Sequence, residues 1–208
     1  MLVLGVDVGI INLGLCLVET DDFYQSKTLN AWKHIDITVM RHNRVPRHTC
    51  VLSHTNCLCD RLKHVFQEEI ELFNSADVIV IEQQPPCGHI AVEQLILSEF
   101  RQKACLVSPV SMQKSFDMRR LTYEERKTQA QRIFNESRIV PFEVKDLLSK
   151  RERSHDVYDA FLIAEYWLRV KRQSVKPLAC IQRDQYDFIG LEDCSCVDQY
   201  LVQFAFRK

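Results

Sequence analysis

Residues 2–18 read LVLGVDVGIINLGLCLV, and the fold turns on how this stretch is parsed. Leu2, Val3, Leu4 and Val6 make an apolar strand that ends on one carboxylate, Asp7. Gly9 and Asn12 supply turn chemistry, and residues 13–18 return as an antiparallel partner. Side chains alternate along a strand, so Asp7 shares a face with Val3 and Gly5, while Leu2, Leu4, Val6 and Val8 take the other. Both faces are apolar, and a carboxylate at the end of such a strand is costly unless something cationic compensates it. A metal ion is the first candidate.

Outward from that hairpin, Ile35, Ile37 and Val39 alternate with His34, Asp36 and Thr38, which predicts a half-buried edge strand over 32–40. A polar loop over 41–56 carries Arg41, His42, Arg44, Arg47, His48 and His54. Leu58, Leu62, Val65, Phe66, Ile70 and Phe73 then fall at helical spacing, with the helix ending near Ser75. The run DVIVIE at 77–82 reads as a buried strand that finishes on Glu82 and is stopped by Pro85 and Pro86. An apolar helix over 90–103 leads to a short strand at 104–107, broken by Pro109. Thr122 and Glu125 have capping-box spacing for a helix to Ser137 with Ala130, Ile133 and Phe134 inward. Pro141 restarts the chain, and Ser154 is an N-cap for a long helix that buries Val157, Phe161, Ala164 and Leu168. Beyond Gln173 the patterning weakens, and 197–206 reads as a strand or a packed tail. A three-strand antiparallel meander followed by alternating helices and strands predicts an α/β, RNase H-like fold: a mixed five-stranded sheet flanked by helices. Residues 1–172 form that domain, and 173–208 are an extension packed on it or appended to it.

The 208 residues are 46% apolar and 26% charged, ordinary for one globular domain, with no repeats and no blocks of like charge. No apolar run is long enough to span a membrane, and a first strand at residue 2 leaves no room for a cleavable signal. The expectation is a cytoplasmic protein, neither secreted nor membrane-bound. Nine cysteines at irregular spacings fit reduced thiols better than a disulfide framework. The net charge of -1 conceals a basic stretch: residues 101–153 hold thirteen Lys or Arg against seven Asp or Glu. A locally basic surface suits a polyanion, although solvated helix faces explain any one of these residues equally well. His48, Cys50, Cys57, Cys59 and His64 could ligate zinc, but they lack the paired spacing of zinc modules, and Cys194 and Cys196 are no stronger.

Four carboxylates stand out by position. Asp7 and Glu82 end buried strands, and in open α/β sheets those carboxyl ends face the ligand crevice. Asp156 and Asp159 are three residues apart at a helix start, so they project from one face, where the helix dipole also favours negative charge. Taken alone, Asp156 also reads as a dipole-favoured first-turn residue. Brought together, the four would repel one another and take up protons at neutral pH. Two Mg²⁺ ions roughly 3.5–4 Å apart would relieve that conflict and form the clamp used in phosphodiester hydrolysis. All-oxygen ligands favour Mg²⁺ or Mn²⁺ over Zn²⁺. An ATPase reading of D-x-G needs a second glycine-rich phosphate loop, and the five glycines (5, 9, 14, 88, 190) are scattered. Gly9 then reads as the small residue that lets a DNA backbone approach.

These residues resemble the RuvC-like Holliday junction resolvases, in the branch found in poxviruses, other large DNA viruses and yeast mitochondria. VLGVDVGIINLGLCLVE (3–19), VIVIEQQPP (78–86), YEERKTQAQ (123–131) and HDVYDAFLIAEYW (155–167) carry the likeness, supported by Trp32 before HIDIT and by SPVSMQK (108–114). It covers residues 1–170 in order. The resemblance implies a homodimeric, Mg²⁺-dependent nuclease that nicks opposed strands of a four-way junction, in the cytoplasm of a host infected by a large DNA virus. Asp7, Glu82, Asp156 and Asp159 would ligate metal, and Lys127 and Lys114 would serve the scissile phosphate. His155 replaces an acidic residue common in the viral relatives and is either a first-turn residue or a support for the ligands. Basic residues Lys114, Arg119, Arg120, Arg126, Lys127, Lys150, Arg151 and Arg153 would track phosphates. Helix 90–103 would be the dimer contact, unless it is core. A less selective nuclease acting on flaps, hybrids or linear DNA, or a non-catalytic nucleic-acid module, are the alternatives within the same fold.

Overall fold

The computed structural model describes residues 1–22, 26–38, 57–151 and 153–174. Five strands, β1 (Leu2–Asp7), β2 (Leu13–Thr20), β3 (Lys27–Ile35), β4 (Val78–Glu82) and β5 (Ala104–Val107), form one sheet in the order β3-β2-β1-β4-β5. β1, β2 and β3 are antiparallel neighbours, whereas β4 and β5 run parallel to β1. The predicted mixed sheet and the antiparallel start are therefore observed.

Seven helices cover its two faces among the described residues. Leu4, Val6, Leu15, Leu17, Ile79 and Ile81 pack with α1 (Leu58–Glu68), α2 (Ile70–Ser75) and α3 (Ile90–Glu99). Val3, Cys16, Val18 and Val80 pack with α4 (Pro109–Ser115), α5 (Tyr123–Glu136), α6 (Phe142–Ser149) and α7 (His155–Ser174). The period-2 alternation read from residues 2–8 thus sorts the two halves of the core. α7 lies directly on the sheet: a Cβ at Gly5 would stand 2.0 Å from the Ala160 carbonyl oxygen, and one at Gly14 would stand 2.1 Å from that of Asp156. Only residues without a side chain permit that approach.

Several boundaries differ from expectation. β3 begins at Lys27, well before Trp32, because the ladder with β2 is fixed by Thr20 pairing with Lys27, and it ends at Ile35. Residues 39 and 40 of the expected strand, the 41–56 loop, and the expected strand or tail at 197–206 lie outside the described residues. The helix over 58–75 breaks at Glu69, which leaves helical geometry and buries its carboxylate 3.3 Å from Lys33 of β3. α3 stops at Glu99 instead of 103, where Phe100 leaves the helix to stack on Phe73 and meet Phe66 edge-on. Lys103, counted in the basic excess, donates to the carbonyls of Phe73, Asn74 and Ala76 at the end of α2. Pro109 does not merely end a strand: it opens α4 from the first-turn position that tolerates a missing N–H. The capping box of Thr122 and Glu125 is formed as predicted.

Candidate active site

β1 and β4 are parallel neighbours, and their alternation aims Asp7 and Glu82 to the α7 side, in line with Val3 and Gly5 and with Val80. α7 is immediately preceded by Ser154, whose carbonyl accepts the N–H groups of Val157 and Tyr158. Its first turn sits over Gly14, the register partner of Asp7, so Asp156 and Asp159 come down beside β1. Lys127 of α5 completes the group through an ion pair with Asp159, and its ammonium also lies over the Tyr123 ring.

Electrostatics shows that these side chains share one site. Burial pushes the Asp7 carboxyl well above the ordinary carboxylate range, and Asp159 and Glu82 push it further, against the pull of Lys127. Burial, with Asp159 adding, raises Glu82 to about 7, although Lys127 and Arg126 oppose it. Asp159 is raised by burial despite the charge and hydrogen bond of Lys127. Burial works against the Lys127 ammonium, but Asp159 and Asp7 outweigh it and hold the ammonium above the ordinary lysine value. Crowded carboxylates that lean on one lysine for compensation have the donor chemistry of a hard divalent cation. Among the described residues, however, no group of three or more His, Cys, Asp or Glu side chains stands close enough together to hold a metal ion as the side chains are placed.

Supporting contacts hold both ends of this site. Glu93 of α3, buried, accepts the backbone N–H of Gln84 and so anchors the segment after Glu82. His34 of β3 places Nε2 3.5 Å from Asp156 Oδ2 and 3.3 Å from Asn12 Oδ1. His155 packs edge-on to Tyr158, and its Nδ1 has no hydrogen-bond partner among the described residues. The sequence reading missed Gly14, His34 and Glu93, because each matters through a partner set by strand register or tertiary packing. A Cβ at Gly9 would lie 2.4 Å from the Asn12 carbonyl oxygen, so Gly9 serves the turn itself.

The basic candidates divide. Lys114, Arg119 and Arg120 are exposed around the α4–α5 connection. Arg126 is half-buried and reaches Gln113. Lys150 pairs with Asp146, Arg151 lies over the Trp32 ring at 4.9 Å, and Arg153 donates to Asn12. Of the zinc candidates, Cys57 caps α1 by accepting the Asp60 N–H, with Cys59 and His64 in that helix; His48, Cys50, Cys194 and Cys196 lie outside the described residues. No helix among the described residues is long and apolar enough to cross a membrane.

An RNase H-type sheet with acids at the ends of its first and fourth strands and on the closing helix defines a class, the RuvC-like resolvase fold. The fowlpox virus resolvase, solved in complex with substrate Holliday junction DNA, has this fold at 17% identity and TM-score 0.61, over 82% of this chain and 99% of that one. The yeast mitochondrial Holliday junction resolvase Ydc2 matches at 20% identity and TM-score 0.58, over 83% of this chain and 82% of its own. T. thermophilus RuvC, in complex with a Holliday junction substrate, matches at 14% identity and TM-score 0.52, over 84% and 96%. Within that class, the family model of the poxvirus A22 protein matches residues 1–171, and the chain belongs to this family. No curated protein sequence matches it.

Proposed function

We propose that this protein is a Holliday junction resolvase, an endonuclease that nicks opposed strands of four-way DNA in the host cytoplasm. The observation that carries the reading is the meeting of Asp7 and Glu82 with Asp159 of α7, close enough to raise one another's proton affinity. Residues 1–172 form the nuclease domain in this reading, and 173–208 are an extension. In this reading the four carboxylates, Asp156 included, would hold two Mg²⁺ ions, with Mn²⁺ able to substitute. Such ions supply a Lewis acid and a deprotonated water near neutral pH.

The chain's own groups do the remaining work. Asp7 and Glu82 end neighbouring paired strands of the sheet, so their oxygens are positioned before substrate arrives. Lys127 keeps a positive charge beside them, and in this reading its ammonium would stabilise charge developing on a scissile phosphate oxygen. Exposed Lys114, Arg119 and Arg120, with Lys150, Arg151 and Arg153, meet phosphates without reading bases. Junction selectivity requires two sites, and a homodimer with a two-fold axis matches the near-symmetry of a four-way junction.

The test is cleavage of a synthetic four-way junction and of a linear duplex of the same arm sequence in Mg²⁺. Paired nicks in the junction, with the duplex intact, are expected. Equal cutting of both would establish a less selective nuclease, and no cutting of either would leave a binding module.

A further inference from the structure

Asp7, Gly14 and His34 form one row across three strands, since Asp7 pairs with Gly14 and Gly14 with His34. The middle of the row has no side chain, and the first turn of α7 rests there through the Asp156 carbonyl. The two ends of the row therefore flank the same helical turn. From one end Asp7 meets the acids of α7. From the other, His34 Nε2 stands between Asn12 Oδ1 at 3.3 Å and Asp156 Oδ2 at 3.5 Å. Arg153, which can only donate, donates to the same Asn12 oxygen at 3.2 Å. That assigns the amide oxygen as the shared acceptor and His34 Nε2 as the nitrogen that bears hydrogen.

We infer that His34 is a positioning residue: held by Asn12, which Arg153 fixes in turn, its Nε2 stands 3.5 Å from Oδ2 of Asp156 and steadies that carboxylate beside Asp7. The inference rests on the proposed cation site, in which Asp156 is a ligand. A partner that orients a ligand sharpens the site without touching substrate, and losing one weakens metal affinity by roughly 10–100-fold. His34 is half-buried, which suits a side chain that faces inward from the end of the row.

The experiment is a Mn²⁺ titration of the full chain without DNA, followed by calorimetry and by loss of the free-ion EPR signal. Wild type, Asp7→Asn, His34→Ala, His34→Gln, Asn12→Ala and His34→Ala/Asn12→Ala are compared. His34→Ala is expected to weaken Mn²⁺ binding about 10-fold. His34→Gln, whose amide can donate from a similar reach, should recover most of that loss. Asn12→Ala should weaken binding in the same direction, and the double variant should be no worse than His34→Ala alone. Equal affinity in His34→Ala and wild type, or no rescue by Gln, would overturn the inference. Were His34→Ala not to fold, wild-type affinity in Asn12→Ala would overturn it as well. A wild type that binds Mn²⁺ no better than Asp7→Asn would instead remove the cation site on which both readings stand.

Discussion

The two faces of the sheet are built from the same strands and do opposite things. On the α1–α3 side, Leu4, Val6, Leu15, Ile79 and Ile81 meet Leu62, Phe66 and Phe73, with Phe66, Phe73 and Phe100 in mutual ring contact. On the α7 side the strands offer smaller residues, Val3, Gly5, Gly14, Cys16 and Val80, and then Asp7 and Glu82. Bulk on the first face holds helices by apolar burial. Its absence on the second lets one helix lie backbone to backbone on the sheet and deliver its first-turn acids. Both faces carry a core, and the second, through its glycines, also brings a helix close enough to set like charges together.

Substitutions can break that contrast, the largest effect coming from the centre of the row formed by Asp7, Gly14 and His34. Gly14→Val puts a side chain where the Asp156 carbonyl lies and should lower junction nicking at least about 100-fold, the cost of misplacing groups by an ångström. Nicking by the folded fraction, set by circular dichroism, checks it. Phe73→Ala on the opposite face should reverse the pattern, with about 3–5 kcal/mol lost in a urea titration and nicking per folded molecule unchanged.

Proton linkage gives a smaller effect. Glu82 titrates at about 7 in the fold against an ordinary 4.5, so between those values the folded state binds more protons than the unfolded one. The stability this contributes is complete below about pH 4.5 and is lost as pH rises through 7. In EDTA, melting should fall by several degrees across that window, since a rise from 4.5 to about 7 is worth roughly 3 kcal/mol and ~1 kcal/mol moves a domain of this size by about 2–4 °C. Glu82→Gln should flatten the slope. The smallest effects belong to the exposed basic residues. Arg119→Ala should weaken junction binding a few-fold and reduce the salt dependence by about one phosphate contact, read by fluorescence anisotropy at several salt concentrations.

Residues 2–18 disclosed the strand, the hairpin and the two-sided alternation because those follow from local periodicity. DVIVIE and the acids at 156 and 159 were legible for the same reason, as was the capping box. What stayed hidden depends on pairing distant in sequence. His34 read as one polar residue of an edge strand, and only the ladder places it in register with Gly14. Gly14 looked like any strand glycine until α7 was set on it. Lys103 counted as surface charge, yet it closes the end of α2. Glu69 gave no sign of breaking a helix, since the reason is Lys33 on another element.

The most direct test of the account is Asp7→Asn assayed for both binding and cutting of one four-way junction. Asparagine keeps the size and position of the side chain and removes its charge. The account predicts gel-shift affinity within about 2-fold of wild type in EDTA, and nicking in Mg²⁺ reduced at least about 100-fold. A variant that still nicks at the wild-type rate would contradict it, because the carboxylate on which β1 ends would then have no part in the chemistry.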